Sequence, residues 1–273
     1  WPAAGRLNLG RPGEKPDFSN FSWFSMMFSA GIGVGMLTWA VAEPVTHFAN
    51  NPEVIQGLTT GGGADNVRMA YKWSFLHWGF GAWSCYAIAG LSMAFFSYRR
   101  ALPLTIRSSL TPIFGKVLSG PLGHLIDIVA VVATILGVAQ TLGFGAEQFV
   151  AGLTRIGIGG LVNADGTTNS SGIVIALILI MGASTLSALS GVRKGIKWLS
   201  NINMFLSIIL LGFLIIFGST FFGGSALLFG IWDYVIALPQ MSINVWGTDG
   251  VEGSEAFLLT QWQGSWPGFY WAW

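Results

Sequence analysis

Five stretches of this chain, at about 21–41, 73–96, 126–153, 173–189 and 205–222, approach or exceed the roughly 20 apolar residues that a helix needs to cross a bilayer core. A sixth begins near Trp266. Hydrophobic residues make up 52% of the 273 and charged ones 9%, a balance that water could not solvate on a folded surface. The sequence therefore predicts an all-α integral membrane protein that spans the lipid bilayer several times. A net charge of +1 gives nucleic acid no footing. The single Cys85 excludes a disulfide within the chain and, set in an apolar helix, predicts a small packing residue. The chain opens at Trp1 without an initiator Met and ends inside the run FYWAW (269–273), which predicts an internal piece of a longer protein.

Basic residues fall in alternate connections. Arg6, Arg11 and Lys15 precede the first span, Arg99, Arg100, Arg107 and Lys116 follow the second, and Arg193, Lys194 and Lys197 follow the fourth. By the positive-inside bias these connections are cytoplasmic. Most acids lie in the others: Glu43, Glu53 and Asp65, then Asp165, then Asp233, Asp249, Glu252 and Glu255. The predicted organisation is a cytoplasmic segment at 1–20, five transmembrane helices over 21–222, an outer loop at 223–265, and the start of a further transmembrane helix at 266–273. Within that loop SALLFGIWDYVIALPQM predicts a helix lying along the outer surface, a short re-entrant segment being the alternative. Glu43-Pro44 is expected to end the first span, with Glu43 in water.

The second span carries Trp78, Trp83 and Tyr86 in the run HWGFGAWSCY, interleaved with Gly79, Ala82, Ala89 and Gly90. At roughly 100° per residue the three rings share one helix face, an aromatic hollow without an ionised group in it. Such rings, facing one another with room between, hold a quaternary ammonium by cation–π attraction. FYWAW, with Trp271 and Trp273, is a second aromatic cluster. Interfacial belts of Trp and Tyr are the competing explanation, against which the mid-span position of the first cluster argues.

In the first span Gly31, Gly33 and Gly35 alternate with Ile32 and Val34. Each glycine weakens a helix by roughly 1 kcal/mol relative to Ala, so the run predicts an interrupted membrane helix. Its exposed backbone groups would then receive a cation or a substrate carboxylate at mid-bilayer. Close packing of a small-xxx-small face is the alternative for Gly31 and Gly35. Among ionisable groups near or inside spans, His77 is expected to be a hydrogen-bonded packing residue, and Asp127 and Glu147 to be solvated near the interfaces.

The ordered set AGIGVG with EP, HWG followed by Trp83 and Tyr86, SGVRKGIKWLSN and FYWAW resembles the betaine/carnitine/choline transporter family over the whole chain. The resemblance implies a fragment of a twelve-helix secondary transporter of LeuT-like architecture, with the first inverted repeat and the start of the second. It also implies a bacterial cell (inner) membrane location and a homo-oligomer such as a trimer. It assigns substrate binding to Trp78, Trp83, Tyr86, Trp271 and Trp273 and to the glycine stretch Gly31, Gly33 and Gly35. Sodium is the implied coupling ion, with Ser29 and Ile32 matching one site and Thr134 the second; no cofactor is implied. Val138 stands where the family's second threonine is expected, which puts that sodium site in doubt. Thr141, about 20° away around the helix, is the substitute, unless both threonines merely bond back to helix carbonyls.

Family members that carry choline tend to place Asp at the position of Gly35. With Gly there, a substrate bringing its own carboxylate is favoured, such as glycine betaine or a sulfonium zwitterion. Proton-coupled choline uptake and substrate/product exchange are the alternatives, followed by an osmosensor that binds without transport. An intramembrane enzyme is disfavoured, because only Cys85, His77 and scattered acids could serve as nucleophile or base.

Overall fold

The computed structural model describes residues 5, 9–10, 13–31, 33–163 and 165–266, with backbone alone at 34–37. Among the described residues the chain is helical with no named strand; one isolated bridge joins Val162 and Thr168. It divides into two compact units, Trp1–Thr38 with Ser92–Gly212, and Trp39–Leu91 with Phe213–Trp273.

In the first unit α1 (Asn20–Gly31) stops at the glycine run, Gly33 lies outside any helix, and α2 (Val34–Ala49) begins directly after it. The first span is thus two helices. α6 (Ile106–Phe114) leads to α7 (Pro121–Arg155), which opens with Pro at its first position, where a missing N–H costs nothing. α8 (Ser170–Leu189) is capped by Asn169, whose side chain accepts from the Gly172 amide at 2.6 Å. α9 (Lys197–Phe217) follows. Ala146, Val150 and Ala176 form a small core between α7 and α8, with Leu161, Val162, Ile173 and Leu177 around it. Ile128, Val131, Ile135, Leu179, Leu206 and Ile209 are more than half exposed, as suits helices whose outer solvent is hydrocarbon.

Ion pairs in this unit bear on orientation. Arg193, in the connection after α8, pairs with Asp17, ahead of α1, at 2.7 Å. Both segments are expected on the cytoplasmic side, and a contact requires that they share one. Asp127 is paired as well as partly solvated: its carboxylate lies 3.0 Å from Arg107 Nε.

The second unit contains most of α2, the short α3 (Pro52–Ile55), α4 (Val67–Trp78), α5 (Phe80–Ala94), α10 (Thr220–Met241) and α11 (Glu255–Ser265). Where a single surface helix was expected between 223 and 265 there are two. α10 starts earlier, at Thr220, and by length and composition alone it would cross a membrane. It packs along α4 at Gly230, where an added Cβ would lie 2.7 Å from Tyr71 Cβ, so a larger residue would force the helices apart. Arg68 grips Asp233 with two bonds of 2.8 and 2.7 Å. The core is a tryptophan cluster of Trp73, Trp262 and Trp266 with Met241, bordered by Trp39 and Trp246.

Contrary to expectation, Pro44 does not end its helix. α2 continues to Ala49 and is stopped by Asn51, which caps α3 and donates to the His47 carbonyl at 2.8 Å. Asn66 completes the closure, donating to the carbonyls of His47 and Phe48 and accepting from Asn51 Nδ2 at 2.7 Å. Both asparagines are wholly buried. They satisfy backbone groups that would otherwise be orphaned at the helix end.

Before α11 the Ser254 hydroxyl donates to Asp249 at 2.7 Å and accepts from the Phe257 amide at 3.1 Å. The Ser254 hydroxyl and then the Val251 amide hold the Asp249 carboxyl below its ordinary value of 3.8. The folded value is the lower one, so its contribution to this loop is complete above the unfolded value and lost as pH falls through the folded value. Hydrogen exchange corrected for intrinsic rate should show constant protection of the Val251 amide from neutrality down to about pH 4, and loss of that protection below it.

Candidate substrate and ion site

α4 ends at Trp78 because Gly79 leaves the helical region, at φ −94° and ψ −140°. A Cβ there would lie 2.3 Å from the Phe75 carbonyl and 2.6 Å from Tyr234 Oη, so only glycine fits. The next amide, of Phe80, donates to Tyr234 Oη at 2.7 Å. The face argument from the sequence assumed one unbroken helix. Instead Trp78 ends α4, while Trp83 and Tyr86 sit on α5 with ring centroids 5.9 Å apart and planes tilted by 46°. These two rings remain 41% and 57% exposed, which leaves aromatic surface for a ligand. Cys85, expected in a packed core, is exposed. It lines a cavity of about 310 Å³ with Trp73, Trp246 and Trp262.

Trp78 is held from behind. Its Nε1 donates to Glu43 Oε2 at 2.7 Å, and His77 Nδ1 lies 2.7 Å from the same oxygen. His47, one turn beyond Glu43 on α2, brings Nε2 to 3.4 Å from the other carboxylate oxygen. Glu43, His47 and His77 are all fully buried. The expectation of a solvated Glu43 is therefore wrong, because the helix runs on through Pro44 and carries the carboxylate under α4. The hollow expected to lack an ionisable group has one a single hydrogen bond from Trp78. His77 is the hydrogen-bonded packing residue that was expected. The pairing of Glu43 with His47 and His77 had a usable signal in the sequence, an acid and a histidine four apart in an apolar stretch with HW a span later.

In the other unit Gly31 ends α1, Gly33 occupies the break and Gly35 stands in the first turn of α2. Ser29 Oγ accepts from Asn203 of α9 at 3.1 Å. The Thr134 hydroxyl donates to the Ala130 carbonyl at 2.8 Å and the Thr141 hydroxyl to the Gly137 carbonyl at 2.9 Å. This is the back-bonding alternative for the proton of each hydroxyl, whose lone pairs can still face a cation. Thr141 lies beside the break: a Cβ at Gly33 would be 3.4 Å from its methyl group. Glu147 is exposed, and its neighbour Gln148 hydrogen-bonds Thr38 Oγ1. Ile32, Trp271 and Trp273 lie outside the described residues.

The profile of the betaine/carnitine/choline family of transporters matches residues 2–273. The chain belongs to this family. It is 39% identical over 269 residues to the high-affinity choline transport protein of Escherichia coli, covering 98% of this chain and 37% of that protein. It is 38% identical to the glycine betaine transporter OpuD of Bacillus subtilis, covering 98% and 49%. It is 37% identical to the osmo-independent choline transporter BetT1 of Acinetobacter baylyi, covering 98% and 48%. The chain thus spans less than half the length of these relatives. As a family of transporters, not enzymes, it agrees with the absence of any nucleophile and base set in the spans from the sequence reading. Identity to the choline and betaine carriers is equal within two points, so overall similarity does not separate the substrates.

Within this chain's second span the Gly79 break is the element most sensitive to side-chain volume. Gly79→Ala should lower the thermal stability of the purified carrier, by roughly 1–3 kcal/mol for the disrupted Phe80–Tyr234 bond alone. Gly81→Ala, whose Cβ meets nothing within 4 Å, should melt with the wild type.

Proposed function

We propose that this chain is part of a secondary active transporter that takes up glycine betaine or a related onium compound across the bacterial inner membrane by sodium symport. The observation that carries the reading is the exposed Trp83–Tyr86 pair, in a chain whose family and named relatives move choline or betaine. The onium head sits on the aromatic faces of Trp83 and Tyr86. The backbone opened between Gly31 and Val34 is, by itself, a candidate for the ion. Ser29, Ile32 and Thr134 remain the proposed sodium ligands, with Thr141 placed at the glycine break as the substitute for a second threonine. Transport proceeds by alternating access within a LeuT-like pair of repeats, one bundle rocking about the central site.

A specific observation favours choline as a second reading. The preference for a zwitterion rested on Gly35 and the lack of an acid in the cage, and Glu43 behind Trp78 supplies a counter-charge at one remove. A cation without its own carboxylate is then less penalised.

Uptake of labelled glycine betaine and of choline by the full-length carrier in proteoliposomes tests both. Sodium-driven accumulation of glycine betaine, competed weakly by choline, is the expected outcome; equal or preferred choline uptake would establish the second reading. Accumulation driven by a proton gradient with no sodium dependence would overturn the coupling assignment. Trp83→Leu should raise KM about three- to thirtyfold, from the usual worth of a cation–π contact, at normal membrane yield.

A further inference from the structure

Because the helix is broken at Gly79, the geometry of an aromatic site assembled from Trp78 on one side and Trp83 and Tyr86 on the other is not set by helical periodicity. It depends on what anchors the junction from outside. Two side chains do so: the Tyr234 hydroxyl takes the Phe80 amide on the α5 side, and Glu43 takes the Trp78 indole N–H on the α4 side. Glu43 is the stronger of the two. A carboxylate accepts charge-assisted bonds, it has no water to turn to at zero exposure, and its Oε2 holds the donors of two successive residues, His77 and Trp78, at 2.7 Å each.

We propose that Glu43 is a positioning residue for the substrate site, fixing the orientation of the Trp78 ring and enriching its π-face for an onium ligand. The proposal rests on the aromatic-site reading above. The orientation follows from the bond direction: an indole whose N–H points at a buried carboxylate cannot flip about its ring axis without leaving that charge unpaired. The enrichment follows from polarisation, since donation of the indole proton toward a carboxylate shifts electron density into the ring, and the attraction for a cation over its face grows with that density. The His77 ring, 4.2 Å from the Trp78 ring between centroids and tilted to it by 39°, is bonded to the same oxygen. His47, one turn along α2, faces the remaining oxygen at 3.4 Å, so Oε2 is shared by His77 and Trp78 alone among these three.

The test is the kinetics of onium uptake by the full-length carrier. Glu43→Leu removes both acceptors and should raise KM about tenfold or more with Vmax within about twofold of wild type. Glu43→Gln keeps an acceptor but not the charge and should raise KM about threefold, a partial rescue that a space-filling role would not produce. In a Trp78→Phe background, which lacks the donor, Glu43→Gln should add nothing further to KM. Wild-type KM in Glu43→Gln and Glu43→Leu, with KM still raised in Trp83→Leu, would overturn the positioning role and leave the aromatic site standing. The same holds if Glu43→Leu lowers only the amount of carrier in the membrane. Should Glu43→Leu fail to fold, Glu43→Gln and the Trp78→Phe pair decide. Wild-type KM in Trp83→Leu would remove the aromatic-site reading itself.

Discussion

A chain dissolved in hydrocarbon must satisfy its backbone from within, and a helix does this for every residue except at its ends. Two of the spans here are broken, at Gly33 and at Gly79, and each break creates helix ends where none would be tolerated in lipid alone. At Gly79 the remedy is visible in the Tyr234 hydroxyl that receives the Phe80 amide. At Gly33 a Cβ would lie 3.4 Å from the methyl group of Thr141, whose own hydroxyl proton is already committed to its helix. Breaks of this kind are where membrane carriers open their backbone to ions and ligands.

The Gly79 break shifts responsibility from the helix to tertiary anchors. α10 supplies one and α2 the other, and both bring a polar group into an otherwise apolar packing. The carboxylate of Glu43 is the costlier of the two to bury, and it is surrounded by the side chains of His47, His77 and Trp78, the last two 2.7 Å from one of its oxygens. Asn51 and Asn66 then hold the end of α2 in register with the start of α4 by four bonds, three of them fully buried, so that the carboxylate cannot slide out from under the indole.

Surface charges tell a consistent story at the ends of the spans. Asp17 meets Arg193 on one face, while Lys72 and Trp73 both bond Glu53, and Arg68 bonds Asp233, at connections assigned to the opposite face. An exposed pair such as Asp17–Arg193 adds little stability. Its value is positional, since it ties two segments that the charge pattern had placed on the same side of the membrane. Asp233 sits within α10, and its pair with Arg68 at the head of α4 sets where along α4 that helix lies.

The membrane class and the glycine interruption were legible in the sequence, because each depends on local composition: apolar length and glycine's poor helicity. The set of span-length helices was not, since the expected first span is broken into α1 and α2 while α10, expected to lie on the surface, is long and apolar enough to cross. The position of Trp78 relative to Trp83 was not legible. The 100° rule presumes a continuous helix, and a single glycine admitted by Tyr234, 155 residues further on, ended it. The burial of Glu43 escaped for the same reason. Glu-Pro in one dimension is a helix stop beside water, whereas α2 tolerates Pro44 once packing and the Asn51 and Asn66 closure hold its far end. Sequence determined which side chains could serve an onium compound, and tertiary structure alone decided which acid stands behind them, because hydrogen bonds between residues 43 and 78 exist only after two separate helices have packed.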